Sequence, residues 1–250
     1  MFSAKIKTRI LTASLATAML AGTGIGASAA MAGVVVKSSG PSASQFPVGK
    51  KVDDSATITL KAGDTVTVLT SGGSRVMKGA GTFRVGEKPT ATRGRFAALS
   101  RKKAARRVRT GAVRGGGTTA TATAKAVSPN IWYVDVSRSG TMCLFDAGTV
   151  RLWRPSDEGI ATYRVVDTAS ESSVDVTFDD GESVAALDPA RMMVSEGATY
   201  TLAGPEGTDV ASVSFVTLEG DYPRADQLAE ALVANGCMMQ VDLMAEKLGD

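Results

Sequence analysis

From Val34 to Val85 apolar and polar residues alternate with a period of two. Ile58 and Leu60 interleave with Thr57, Thr59 and Lys61, and Val66 and Val68 with Thr65 and Thr67, the pattern of strands that bury one face. Turn residues separate the runs at Ala62-Gly63-Asp64, Ser71-Gly72-Gly73 and Gly79-Ala80-Gly81. The spacing predicts a meander of four or five short strands closing a small barrel or two-layer sheet.

A second alternating region runs from Ile131 to Leu218 and breaks into eight or nine strand-like segments: IWYVDV, TMCLF, TVRLW, IATYRVV, SVDVTF, ESVAAL, ATYTLA and VASVSFVTL. Short strands at regular spacing predict an antiparallel β-sandwich. Phe178-Asp179-Asp180-Gly181-Glu182 carries the strongest hairpin signal, with Asp-Gly at its tip. At Asp221 the period changes. Ala225, Leu228, Ala229, Leu232 and Val233 form a helical stripe behind Pro223, and Asn235-Gly236 signals its end. Cys237, Val241, Met244 and Leu248 predict a second helix folding back as a hairpin.

Between these regions the period is lost. Residues 91–129 hold ten basic and no acidic residues, then Gly, Thr and Ala repeats ending at Pro129. From Phe96 to Arg109 the composition favours helix, yet Phe96, Leu99, Ala104 and Val108 make no clean stripe. At most a frayed helix in a disordered linker is expected. The run offers Arg101, Lys102, Lys103, Arg106, Arg107 and Arg109 as a polyanion contact. A solvated tether, a contact with the chain's own acidic region, and an external anionic partner all fit. The second reading draws on charge layout: residues 30–90 carry 8 basic and 4 acidic side chains, residues 130–250 carry 7 and 21. Nucleic acid is not expected, since Phe96 is the one ring in the run able to stack on a base.

The first 29 residues read as an export signal. Lys5, Lys7 and Arg9 precede an uncharged stretch from Ile10, and Ala27-Ser28-Ala29 fits cleavage before Ala30; Ala30-Met31-Ala32 offers a second register, before Gly33. Five Ser and Thr residues between Ile10 and Ala29 leave this stretch too polar to span about 30 Å of bilayer. No later apolar run is long enough to do so. The expected organisation is a leader at 1–29, an N-terminal β-module at 30–90, a linker at 91–129 and a sandwich with terminal helices at 130–250.

Export changes the meaning of the two cysteines. In an oxidising compartment Cys143 and Cys237 have each other as the available intrachain partner, so a disulfide stapling helix to sheet is expected; free thiols and intermolecular bridges are the alternatives.

Candidate chemistry is sparse. The 250 residues include no histidine, which excludes Ser-His-Asp, Cys-His and HExxH mechanisms and imidazole-bound metals. No GxSxG, Walker loop or CxxC occurs. Asp175, Asp179, Asp180 and Glu182 are the densest carboxylate group, but Val176 to Phe178 fill positions an EF-hand needs for oxygen ligands, so a solvent-facing hairpin is expected and no metal or cofactor. Ser139-Gly140-Thr141 lacks a nearby base. Trp132, Tyr133 and Trp153 could form a glycan-stacking platform, although sandwich aromatics usually belong to the core. Trp132 and Tyr133 point to opposite faces of one strand.

LKAGDTVTVL and MKGAGTFRV, a strand with a Gly-Asp turn and a GxG-aromatic hairpin, resemble the FecR-type β-modules of bacterial envelope proteins over residues 34–88. The opening SGPSASQFPVGKK with the later Cys-containing β-domain is similar to uncharacterised exported proteins of Alphaproteobacteria. The resemblance implies location and fold, not an activity. The reading is therefore an exported, periplasmic or extracellular, non-catalytic binding or scaffolding protein, with an envelope polyanion, glycan or protein as partner. A glycan- or peptidoglycan-active enzyme using paired carboxylates, and a sensory accessory with a charge-docked tether, are the alternatives.

Overall fold

Thr57 and Thr59 face solvent and Ile58 and Leu60 are buried in the strand Thr57–Leu60, as the alternation requires. The computed structural model describes residues 32–87, 89–102, 126–207 and 209–249. The leader at 1–29 lies outside the described residues, as do Lys103, Arg106, Arg107 and Arg109 of the basic run. The chain is mainly β, as expected. Among the described residues six strands form its N-terminal part: β1 (Ala32–Ser39), β2 (Lys51–Asp53), β3 (Thr57–Leu60), β4 (Thr65–Thr70), β5 (Gly73–Lys78) and β6 (Gly81–Arg84). They make a four-stranded sheet ordered β2-β1-β4-β5 and a two-stranded ribbon β3-β6. Val35, Ile58, Leu60, Val66, Val68 and Met77 share one core.

The Gly-Asp turn has a physical reason. Asp64 is buried, and its carboxylate accepts the Ser42 backbone N–H at 2.8 Å and that of Lys61 at 2.6 Å. It ties the turn before β4 to the bend after β1. A Cβ on Gly40 (φ +100°) would sit 2.5 Å from the carboxylate oxygen, so this contact needs glycine.

One-sided burial, expected of every strand, fails at β4, where Val66, Thr67, Val68, Leu69 and Thr70 are all buried. Its second face is covered by the C-terminal helix α2 (Ala225–Ala234), while α3 (Met238–Leu248) packs beside it on β1. Leu69 of β4 and Val34 and Val36 of β1 join Leu228, Leu232, Val241, Met244 and Leu248 in one cluster. The expected linker is also packed where it is described. Arg93–Leu99 is a helix, designated α1, and Phe96 and Leu99 bury in the same cluster. Two residues one turn apart are stripe enough when a core waits for them.

Among the described residues eight further strands follow: β7 (Tyr133–Asp135), β8 (Gly140–Leu144), β9 (Arg151–Trp153), β10 (Ala161–Asp167), β11 (Ser173–Phe178), β12 (Val184–Ala186), β13 (Thr199–Ala203) and β14 (Asp209–Thr217). A five-stranded sheet ordered β11-β10-β13-β14-β8 faces a three-stranded sheet ordered β12-β9-β7 across a core that includes Val134, Leu152, Val165, Phe178, Leu202 and Phe215. The pairing is not wholly antiparallel as predicted: β14–β8 and β7–β9 are parallel. The chain crosses from β7 to the large sheet at β8, then returns through a 3-10 turn at Ala147–Thr149, where Asp146 accepts the Gly148 N–H at 2.8 Å. Two crossings restore the original direction. The Asp-Gly turn likewise joins strands of different sheets rather than a hairpin, since β11 pairs with β10 and β12 with β9.

The described residues form one compact unit. The α2–α3 hairpin packs on β1, β4 and β8 and fills the space between the N-terminal sheet and the edge of the sandwich. Asn235-Gly236 ends α2 as read, with Gly236 at φ 71°. The C-terminal carbonyls of α3 are capped from the N-terminal part: Arg95 donates to Lys247 and Leu248 at 3.2 and 3.4 Å, and the Ser74 hydroxyl donates to Leu248. A guanidinium there also suits the negative end of the helix dipole.

Candidate binding clefts

β8 is an edge strand, and its outer edge is closed by side chains of α3 instead of another strand. Gln240, 2% exposed, accepts the Cys143 N–H at 2.7 Å through Oε1 and donates through Nε2 to the carbonyls of Cys143 and Ile131 at 3.0 and 3.1 Å. Its carboxamide thus imitates one peptide unit of a neighbouring strand. Beside it Cys143 and Cys237 stand at disulfide distance, with Cα atoms 5.7 Å apart, both fully buried.

The segment leading into β7 runs past this junction with side chains alternating between two clefts. Ile131 and Tyr133 line a cleft of about 620 Å³, walled by β1, residues 126–128 and α3. Val36, Val48, Val127, Met142 and Leu243 make it largely apolar. Its charged residues carry both signs: Lys37, Asp135, Arg138, Asp242 and Glu246, with Arg138 paired to Asp242 at 2.9 Å. The Ser38 hydroxyl on its lining is buried with no hydrogen-bond partner among the described residues. Burial raises the Tyr133 phenol above its usual range, opposed by the charge of Arg151.

Trp132 turns the other way, into a cleft of about 300 Å³ that also includes Phe96, Phe145, Tyr222, Pro223 and Leu228. Trp132 meets Phe145 edge-on at 4.7 Å between centroids, and Phe145 lies 6.1 Å from Tyr222. The Trp132 indole N–H is committed to the Ser100 carbonyl at 2.9 Å, and the Tyr222 hydroxyl to that of Glu219 at 2.7 Å. Lys102 holds its ammonium 3.6 Å from the Phe145 ring centroid and 3.9 Å from the Asp221 carboxylate.

No protein-family model, curated protein or solved structure matches the chain.

The platform of Trp132, Tyr133 and Trp153 is not assembled. Trp153 is 3% exposed in the sandwich, Tyr133, 8% exposed, lines the larger cleft, and Trp132 belongs to a different aromatic group, so the three rings share no surface. Large rings on sandwich strands went to the core, where their area is best used. Phe145 and Tyr222 were not legible as site residues. One signal existed: Phe145 lies two positions from Cys143 and shares its face of the strand. Of the polyanion set, Lys102 is engaged with Phe145 and Asp221, and Arg101 is exposed.

The carboxylate group does not converge on one point. Asp175 pairs with Arg164 at 2.8 Å, and that hydrogen bond foremost, against some desolvation, holds its carboxyl below the usual range. Asp180 accepts the Gly159 N–H at 2.7 Å. Near it Arg154, 4% exposed, donates to the carbonyls of Glu182, Glu158, Gly159 and Asp179 at 2.8, 3.2, 2.7 and 3.1 Å. A buried guanidinium held by four carbonyls sets the acidic turn around it. Among the described residues no group of three or more His, Cys, Asp or Glu is placed to hold a metal, and no helix is long and apolar enough to cross a membrane.

Proposed function

We propose that this protein is an exported, non-catalytic binding protein of the cell envelope whose ligand occupies the larger cleft between β1 and α3. The observation that carries the reading is the cleft itself. Its volume of about 620 Å³ falls in the range of about 300–1,000 Å³ typical of small-ligand sites. An apolar floor under charges of both signs suits a peptide-like ligand with apolar side chains and charged ends. The Ser38 hydroxyl, buried without a partner among the described residues, offers a hydrogen bond that such a ligand completes. The leader-like residues 1–29, the paired cysteines, and the likeness of LKAGDTVTVL and MKGAGTFRV to FecR-type modules support an envelope location.

Two measurements test it. Fractionation should recover the chain, shortened by its leader, outside the inner membrane. Stem-peptide fragments of the bacterial wall, titrated calorimetrically, should bind the wild type and lose affinity by tenfold or more when Val48→Trp fills the cleft. Recovery of a full-length, reduced chain from the cytosol overturns the location. Turnover of a wall or glycan substrate that disappears in Asp135→Asn or Asp242→Asn overturns the non-catalytic role.

A further inference from the structure

We propose that the aromatic cleft is a second and separate site, one that binds small organic ammonium ions, with the side chain of Lys102 as its built-in occupant. The cleft offers ring faces from which the polar tips have been removed. Trp132 and Tyr222 have spent their hydrogen-bonding groups on the Ser100 and Glu219 carbonyls, which also fixes their orientation. Phe96 and Leu228, 6% and 1% exposed, close the floor. What remains is a set of electron-rich faces beside one carboxylate, Asp221, and this combination attracts a cation rather than a sugar, which needs donors and acceptors.

The chain itself shows the preference. Lys102 places an ammonium 3.6 Å from the Phe145 centroid, well inside the distance of about 6 Å at which the ring quadrupole attracts a cation. Asp221 faces the same ammonium at 3.9 Å. Among the described residues two other cations lie over rings, and neither is so close: Lys50 is 5.0 Å from Phe46 and Arg154 is 5.3 Å from Phe178. Arg154 is fixed by its four carbonyls. Lys102 is held differently. Its side chain is 52% exposed and the Asp221 side chain 84%, so a soluble ammonium can replace it at the ring while Lys102 swings into water. Arg93 also lines the cleft, at its exposed side, and adds a repulsion that the ligand must overcome. A volume of about 300 Å³ suits a trimethylammonium or alkylammonium head rather than a polymer.

The test uses the full mature chain, with choline as probe and its uncharged carbon isostere as control. Trp132 fluorescence is the readout, the other tryptophan, Trp153, being buried in the sandwich core. Choline should shift the emission of the wild type and the isostere should not. Lys102→Ala removes the competitor and should tighten choline by about two- to fivefold, the factor expected from a partly exposed cation–ring contact. Phe145→Leu should abolish the response. Asp221→Asn, at an exposed position that does not threaten folding, should weaken it severalfold. Val48→Trp in the larger cleft should leave it unchanged, so the two sites fail independently. Equal binding of choline and its isostere, or no response to choline in either the wild type or Lys102→Ala, overturns the proposal.

Discussion

Replacing Gln240 by leucine tests whether a side-chain amide closes the edge of β8. The side chain is 2% exposed and makes three hydrogen bonds, one from the Cys143 N–H and one each to the carbonyls of Cys143 and Ile131. Leucine has nearly the same volume, so the change removes the polar contacts without opening a large cavity. A buried N–H left without an acceptor costs about 1–3 kcal/mol. The two carbonyls cost less, since each has a second lone pair and tolerates under-satisfaction better; together they add about 1 kcal/mol. The expected loss is thus about 2–4 kcal/mol out of the about 5–15 kcal/mol usual for a domain. Urea denaturation followed by tryptophan fluorescence measures it, with a lower midpoint and an unchanged slope. A loss under about 1 kcal/mol would show that water or a backbone shift completes the edge and that the amide is dispensable.

Gln240→Glu separates the acceptor role from the donor role. A carboxylate can take the Cys143 N–H but faces two carbonyl oxygens, so the folded state should raise the glutamate above its ordinary value of about 4.3. Protonated, it regains one donor. The deficit relative to wild type is therefore smallest below the unfolded value and grows as pH rises through the folded one. A deficit independent of pH refutes the assignment of the two oxygens as acceptors.

Reducing the Cys143–Cys237 pair, or replacing both by alanine, opens a loop with a sequence separation of 94 and should cost about 4–5 kcal/mol in the chain-entropy view; an unchanged urea midpoint with reductant would contradict it. Asp64 is opposed by desolvation, but the Ser42 hydroxyl and N–H, the Lys61 N–H and the Lys61 charge prevail and lower its carboxyl. Its contribution is present above the unfolded value and lost as pH falls through the folded one, so Asp64→Asn should destabilise at neutral pH and converge with wild type in acid. Asp54 has the opposite sign: burial first, then the charges of Asp226 and Asp53, raise its carboxyl, so Asp54→Asn should raise the melting temperature at neutral pH and have no such effect in acid. Gly49 has φ +88° and a Cβ there would lie 2.4 Å from Val233 of α2; Gly49→Ala should lose about 1–3 kcal/mol by thermal melt, and a neutral result would show that the helix hairpin gives way freely.

What was legible in the sequence is what local physics decides. Period-two runs located most of the strands, and the stripe of Ala225, Leu228, Ala229 and Leu232 located α2, because one buried face leaves its imprint on every second or every third and fourth residue. What packs on that face leaves no such imprint. Thr67 is 2% exposed on a strand against which α2, far along the chain, packs. Phe96 and Leu99 looked like stray apolar residues in a basic run for the same reason. The clefts follow this rule. That Trp132 and Tyr133 diverge was readable from alternation, whereas the meeting of Val36 with Leu243, or of Trp132 with Phe145 and Tyr222, depends on how the hairpin docks.

The hairpin also decides what the two β-regions can be without each other. Val34, Val36 and Leu69 on one side and Cys143, Ile131 and Leu218 on the other share one core with α2, α3 and Phe96 and Leu99 of α1. The buried contacts around this core join residues as distant as Ser74 with Leu248. Forming them early costs loop entropy before any burial offsets it, so the strand regions should order first and the shared core last. Until then the same apolar faces stay exposed, along with the outer edge of β8 that Gln240 later covers. The least local core therefore cannot close until α2 and α3 are in place.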